Sequence, residues 1–372
     1  MEYLVFYLLI IFGVVASKRW GGDFSYFILC VLIVSFSTFR YETGFDWPVY
    51  DNYLSNKFNN VYFPVFELFK YIYNLFELDK VYFYSFVSIL GNVLILVAAS
   101  RYFRDYRYFF ILFYVFWTDF YLIHSFSIIR QFICLAFLLF AFSNKINGRR
   151  YKIYILLALL THHAAILYFV FLFFFSWLKS LNYRNVWFAF FVFSTCFFFD
   201  LSIVSVILKN SLSFFNIPYL EMYFLNDTFN TSIYLKFVIV LSLGFVLFCS
   251  IETSKRVGIT KNEYYFCTIY VFIMLVFYAM PTITTRLSLF FVFPVIKVVA
   301  IYLQRVVPVQ RLMIKFGLLI VFSFSVFRFY SSPLNVTYFP YQTWLIESDV
   351  KNSTGLKRTQ DVYDQLNKLG VF

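Results

Sequence analysis

The chain has 372 residues, of which 62% are hydrophobic and only 13% charged, against about 25% charge in an ordinary soluble protein. A mean hydropathy of +0.76, spread over many separate apolar runs, excludes a soluble domain and a β-barrel and predicts an all-α, polytopic integral membrane protein. The net charge of +12 argues for no nucleic-acid partner, because Lys and Arg fall in short clusters between apolar runs, as in cytoplasmic loops.

Spans are predicted near 2–17, 23–39, 81–100, 108–123, 127–143, 187–207, 232–250, 263–281, 286–303 and 312–330. The N-terminus is apolar at once and lacks a basic leader, so it reads as a first span rather than a cleaved signal. The clusters Lys18/Arg19, Arg101/Arg104/Arg107, Lys145/Arg149/Arg150/Lys152, Lys179/Arg184, Lys255/Arg256/Lys261 and Arg305/Arg311/Lys315 all call for the cytoplasm. Alternation then places 40–80, the turn near 118–127, the loop 208–231 and the turn 282–286 outside. The segment 62–77 is too short and mixed to span and reads as an interfacial helix, with Pro64 near its start and Glu67 one turn in.

One stretch, 151–178, breaks the alternation. Lys152 and Lys179 both call for the cytoplasm, yet the distance between them is too long for one span and too short for two. Thr161-His162-His163 lies at its centre. A broken helical hairpin with the histidines near its tip satisfies both ends, and a single long tilted helix is the competing reading. Counting the hairpin as two gives about twelve segments. The chain thus divides into a transmembrane domain, 1–330, and a polar tail, 331–372, which alternation places outside. All five cysteines fall inside apolar runs without metal spacing, so neither a disulfide nor a metal site is expected.

Chemistry-bearing residues concentrate at the mouths of the apolar runs. Phe39–Tyr53 carries Arg40, Glu42, Asp46 and Asp51 with Gly44 and Pro48, and such a segment cannot lie in lipid as bare backbone. The three histidines are His124, at an outer turn, and the pair His162 and His163. A histidine in a membrane segment faces a cavity, or is a buried ring satisfied by a carbonyl. Arg130-Gln131 is expected one to two turns inside its span, where an arginine needs an anion or an ion pair such as Asp119. Arg286 opens the span after the turn 282–286. Arginine grips phosphate oxygens bidentately, so Arg40, Arg130 and Arg286 on one side suggest a diphosphate, while Glu42, Asp46, Glu67 and the histidines offer general bases. Trp47, Tyr50, Tyr53 and Tyr341 either stack on sugar rings or pack in the aromatic belt.

The order Arg40-x-x-x-Gly44-x-Asp46, Tyr50, Glu67, Arg130-Gln131, His162-x-Ala-Ala and Arg286 resembles the EpsG-like, Wzy-type polysaccharide polymerases over roughly 40–341. Two departures stand out: one extra residue between Arg40 and Gly44, and Ala164 where the family often has a serine after the histidine. The resemblance implies a GT-C-like membrane glycosyltransferase with a periplasmic-side cavity in the bacterial inner membrane. It would join undecaprenyl-diphosphate-linked oligosaccharide repeat units of O-antigen or capsule. Such an enzyme needs no cofactor and has a chain-length regulator as a potential partner besides membrane lipids. Residues matched to the motifs are His162, Asp46 and Glu67 for catalysis and Arg40, Tyr50, Arg130, Gln131 and Arg286 for substrate; His163, His124, Glu42 and Tyr341 join the substrate candidates from their own chemistry and place in the chain. A flippase of the same lipid-linked glycan would need a polar path across the whole membrane, whereas the polar residues here gather on one side. An O-antigen ligase would share the arginines and the histidine.

Overall fold

A computed structural model describes residues 1–20, 22–55, 63–200, 233–255, 258–278 and 280–368. The expected loop 208–231, the end of the span 187–207, Arg256 and part of the loop 40–80 lie outside the described residues. Within them the chain is helical, and its β pairing is a single isolated bridge between Arg40 and Thr343. Its contacts divide it into two units, Met1–Ala165 with the chain from Met313 onward, and Ile166–Leu312.

The first unit contains α1 (Glu2–Trp20), α2 (Gly22–Thr38), α3 (Trp47–Leu54), α4 (Pro64–Leu75), α5 (Lys80–Phe103), α6 (Arg107–Phe116), α7 (Ile129–Ile146) and α8 (Lys152–Leu159). Helix α7 is buried on nearly every side and forms the centre of this unit. It packs on α5, and Gly91 makes the approach possible: a Cβ there would lie 2.2 Å from Phe132 Cε1. The apolar run Lys80–Phe116 has 37 residues and is broken where Arg104 takes a φ of 44°. Helix α6 turns back on α5 there, so the basic cluster Arg101/Arg104/Arg107 marks a turn, as its charge predicts. A buried polar network holds the core together. Asn92 Nδ2 donates to Ser37 Oγ and the Ser88 carbonyl, both at 2.9 Å, and Tyr114 OH donates to Asn92 Oδ1 at 2.7 Å. In an apolar medium such bonds satisfy side chains that lipid cannot.

The second unit contains α9 (Ala164–Phe174) from Ile166 onward, α10 (Tyr183–Phe198), α11 (Ile233–Lys255), α12 (Lys261–Val276), α13 (Pro281–Ser288) and α14 (Val292–Arg305). Helices α11, α12 and α14 pack on one another. Thr260 and Glu263 form a capping box at the start of α12, and the almost wholly buried Glu263 also pairs with Lys297 at 2.6 Å. The pairing satisfies a buried carboxylate that would otherwise be costly. Helix α15 (Pro308–Ser331) begins here and continues into the first unit, followed by α16 (Glu347–Lys351) and α17 (Gly355–Lys368).

Five described stretches are long and apolar enough to cross a membrane: Lys80–Phe116, Ile129–Ile146, Ile233–Lys255, Thr284–Arg305 and Pro308–Ser331. Three shorter apolar helices, Glu2–Ser17, Gly22–Thr38 and Ala164–Phe173, accompany them. The protein is therefore an all-helical membrane protein. Phe316, Leu319, Ile320, Phe324 and Phe327 stand exposed on α15, as on a helix that meets lipid. Helix α4 is short, starts at Pro64, carries Glu67 in its first turn and buries Val65 and Phe66 while exposing Leu68, Tyr71, Ile72 and Leu75. That is the amphipathic, non-spanning helix expected over 62–77.

Candidate functional site

The site grows from the loop between α2 and α3. Arg40 is only 4% exposed. Its Nη1 donates to the Ser37 carbonyl and to Ser88 Oγ, both at 2.5 Å, and its guanidinium carbon lies 4.9 Å from the centre of the Phe126 ring. Its Nη2 is buried with no partner among the described residues, and the same holds for Trp47 Nε1, in a residue 3% exposed. Both residues line a small pocket with Tyr41, Glu42, Thr43, Lys80, Val81 and Tyr84. Two unmatched donors suit an acceptor oxygen, and the Lys80 ammonium at the same pocket favours an anionic one.

Glu42 and Gly44 shape this loop. Glu42 has a φ of 45° and Gly44 one of 110°. A side chain at position 44 would be strained by that φ and would meet the Phe126 carbonyl oxygen at 2.6 Å. The Glu42 carboxylate is engaged on both sides, by Lys80 Nζ at 3.3 Å and by the Ser353 hydroxyl. Lys80 also reaches Asp51 at 3.3 Å. Glu42 thus ties the loop to α5 and to the tail. Asp46 occupies the N-cap position of α3, but its carboxylate is not used in capping.

Helix α3 carries the next two contacts. Arg130 Nε donates to Tyr50 OH at 3.4 Å, and its guanidinium carbon stands 5.9 Å from that ring's centre. Burial pushes the Tyr50 phenol up to about 12, against the pull of the Arg130 guanidinium and with a smaller push from Asp46. Those charges bring Asp46, Tyr50 and Arg130 into one field. One turn further on, Tyr53 OH donates to Glu67 Oε1 at 3.0 Å. Arg130 differs from its expected depth. The chain kinks at Ile128, so Arg130 lies in the first turn of α7 rather than one to two turns inside a span, with Gln131 buried beside it. Asp119, the alternative partner, instead pairs with Arg328 at 2.6 Å.

The stretch 151–178, expected to break near the histidine pair, is interrupted at Leu160–His163, between α8 and α9. His162 is 9% exposed, whereas His163 is exposed. Their rings lie 4.0 Å apart, and Phe63, just before α4, faces both at 6.3 and 6.0 Å. Val65 N donates to the Leu160 carbonyl at 3.1 Å, binding α4 to the break. His162 Nδ1 accepts from Ala164 N at 3.0 Å, which leaves the proton of the neutral ring on Nε2. In that state the ring offers a donor, not a base.

Within the first unit, Arg130 thus meets Tyr50 on α3, Tyr53 one turn along the same helix meets Glu67 on α4, Glu67 N donates to the Phe63 carbonyl at 3.2 Å, and the Phe63 ring faces His162. The other expected residues have different settings. His124 is 1% exposed, with Nδ1 at 2.5 Å from the Asp119 carbonyl oxygen in an irregular turn, the carbonyl-satisfied alternative. Tyr341 stacks on Phe36 at 4.5 Å and donates to its carbonyl at 2.7 Å, the packing alternative. Arg286 belongs to the second unit, in the last turn of α13. Sequence reasoning missed Lys80, Ser127 and Arg358. Ser127 Oγ accepts from Phe45 N at 2.8 Å and meets Tyr338 OH at 2.5 Å. Nothing in a lone serine or a tail arginine signals such a role before the chain is folded.

A family model described as the EpsG family matches residues 23–343. No curated protein matches the chain, and no solved structure does.

Proposed function

The chain belongs to the EpsG family, and from that premise we propose that it is a polysaccharide polymerase joining oligosaccharide repeat units carried on undecaprenyl diphosphate. The observation that supports the reading most is the convergence of segments 40–50, 63–67, 130–131 and 160–163, remote in sequence, within one unit. They supply a guanidinium, carboxylates and an imidazole donor beside buried aromatic rings.

In the proposed reaction an acceptor-sugar hydroxyl attacks the anomeric carbon of the donor chain. The bond from that carbon to the lipid diphosphate breaks, the diphosphate leaves with its electron pair, and a carboxylate takes the hydroxyl proton. The donor is already activated, so the protein must orient it, stabilise the departing charge and hold a base. Arg130 and the Nε2–H of His162 are suited to the departing phosphate, because both are donors. Asp46 and Glu67 are suited to the proton, because a carboxylate accepts. We place the site at the periplasmic face of a bacterial inner membrane, from the positive-inside pattern of the loops, and we propose the GT-C-like arrangement of about twelve segments on the same footing.

The glycolipids of a cell lacking the protein test this reading. Single repeat units left on the carrier are expected. Loss of all surface units would point to a flippase, and long chains retained on the carrier would point to a ligase.

A further inference from the structure

The family match ends at residue 343, yet the chain beyond it is built onto the motif loop. Tyr41 N donates to the Gln342 carbonyl at 2.8 Å and Trp344 N to the Phe39 carbonyl at 3.1 Å, on either side of the Arg40–Thr343 bridge. Trp344 Nε1 adds a bond to the Thr38 carbonyl at 3.2 Å. Helix α17 then lies against the loop. Gly355 meets Glu42 so closely that a Cβ would fall 2.4 Å from Glu42 Cβ, and Tyr363 packs on Phe45 with ring centres 5.1 Å apart.

Arg358 is the centre of this contact. It is 5% exposed and donates to three oxygens: the Pro340 carbonyl at 2.6 Å, Gln342 Oε1 at 2.9 Å and the Glu42 carbonyl at 3.2 Å. The last bond matters because Glu42 is in the left-handed region, with a φ of 45°. A non-glycine residue persists there when its surroundings over-determine it. Arg358 holds its carbonyl, and Ser353 and Lys80 hold its carboxylate. Asp46 follows four residues later in the same loop.

We propose that residues 344–368 are a clamp on the motif loop, with Arg358 as the positioning residue that fixes Glu42 and, through it, Asp46. The proposal rests on the polymerase reading and states how that site is held. Arg358 touches no reacting atom; it acts through the loop.

The test is steady-state kinetics of the purified full-length protein with a lipid-linked repeat unit, comparing Arg358→Ala, Arg358→Lys and Ser353→Ala. Misplacing a catalytic group by about 1 Å costs on the order of a hundredfold in rate. Arg358→Ala is expected to lower kcat by roughly ten- to a hundredfold, with KM for the donor unchanged because Arg130 and His162 stay in place. Arg358→Lys restores part of kcat, since an ammonium keeps the charge without the planar fork. Wild-type kcat in Arg358→Ala, or a rise in KM alone, overturns the proposal. Should Arg358→Ala fail to insert, wild-type kcat in both Arg358→Lys and Ser353→Ala overturns it. A wild-type protein that extends no chain sinks the polymerase reading instead. Hydrogen exchange at residues 41–46 then decides the clamp: faster exchange in Arg358→Lys supports it, and unchanged exchange overturns it.

Discussion

His162 and His163 are adjacent in the chain, yet one ring is nearly enclosed and the other exposed. His162 does two separable things: Nδ1 accepts from Ala164 N, as a capping side chain does, and Nε2 is left as a donor. Asparagine keeps an acceptor near the Nδ1 position and removes the Nε2 donor. His162→Asn is therefore expected to insert and fold normally while losing chain extension, whereas His162→Ala also loses the cap, about 1 kcal/mol. His163→Ala is expected to remain active. Lipid-linked product length in membranes, with protein level measured beside it, checks all three. Full activity in His162→Asn would remove the ring from the reaction. The same reasoning separates the carboxylates. Asp46→Asn or Glu67→Gln should lower kcat at least a hundredfold, the span general acid–base catalysis typically supplies, in the one that is the base. The other should change it little.

These residues were legible in the sequence because a charge or an imidazole in an apolar run is conspicuous. Their assignments to roles were not. Glu42 looked like any candidate base, but its carboxylate is engaged by Lys80 and Ser353. Arg130 looked deep because the apolar run begins near Ser125, and hydropathy does not register the kink at Ile128. Asp119 looked like its partner until Arg328, far along the chain, proved to be paired with it.

At the scale of elements, most helices fall within a few residues of the hydropathy reading. The break in 151–178 followed from charge parity and two histidines, which no local propensity would supply. How closely helices approach is a different matter, since a glycine in an apolar run carries no label. Gly91 is what allows α7 to reach α5. Gly91→Ala forces a methyl into the Phe132 ring and is expected to cost about 1–3 kcal/mol. Phe132→Ala leaves a cavity and costs about 3–5 kcal/mol alone. In the double variant the new methyl enters space the ring vacated, so the two effects should sum to less than their separate values. Thermal unfolding in detergent measures the coupling. Strict additivity would mean that the two residues do not meet in the membrane-embedded protein.

At the scale of the molecule, the tail determines what the first unit can be. Sequence alternation placed 331–372 on the same side as the motif loop by counting crossings alone. The geometry gives an independent argument that needs no count. Residues 40–45 and 337–363 share backbone bonds, a bridge, a buried arginine and an aromatic pair, and no bilayer can separate groups that are hydrogen-bonded to one another. Ser55 at the end of α3 and Gln360 on α17 are both exposed, so single cysteines there report the two segments without disturbing the contact. In a cysteine-free background, a membrane-impermeant maleimide should label both from the same face, whichever face it is. If that face is periplasmic, intact cells label at both positions, and a cysteine at Arg149, on the opposite side by charge, reacts only after lysis. Labelling at one of Ser55 and Gln360 but not the other would mean that the tail leaves the loop in the membrane, and the clamp on Glu42 would go with it.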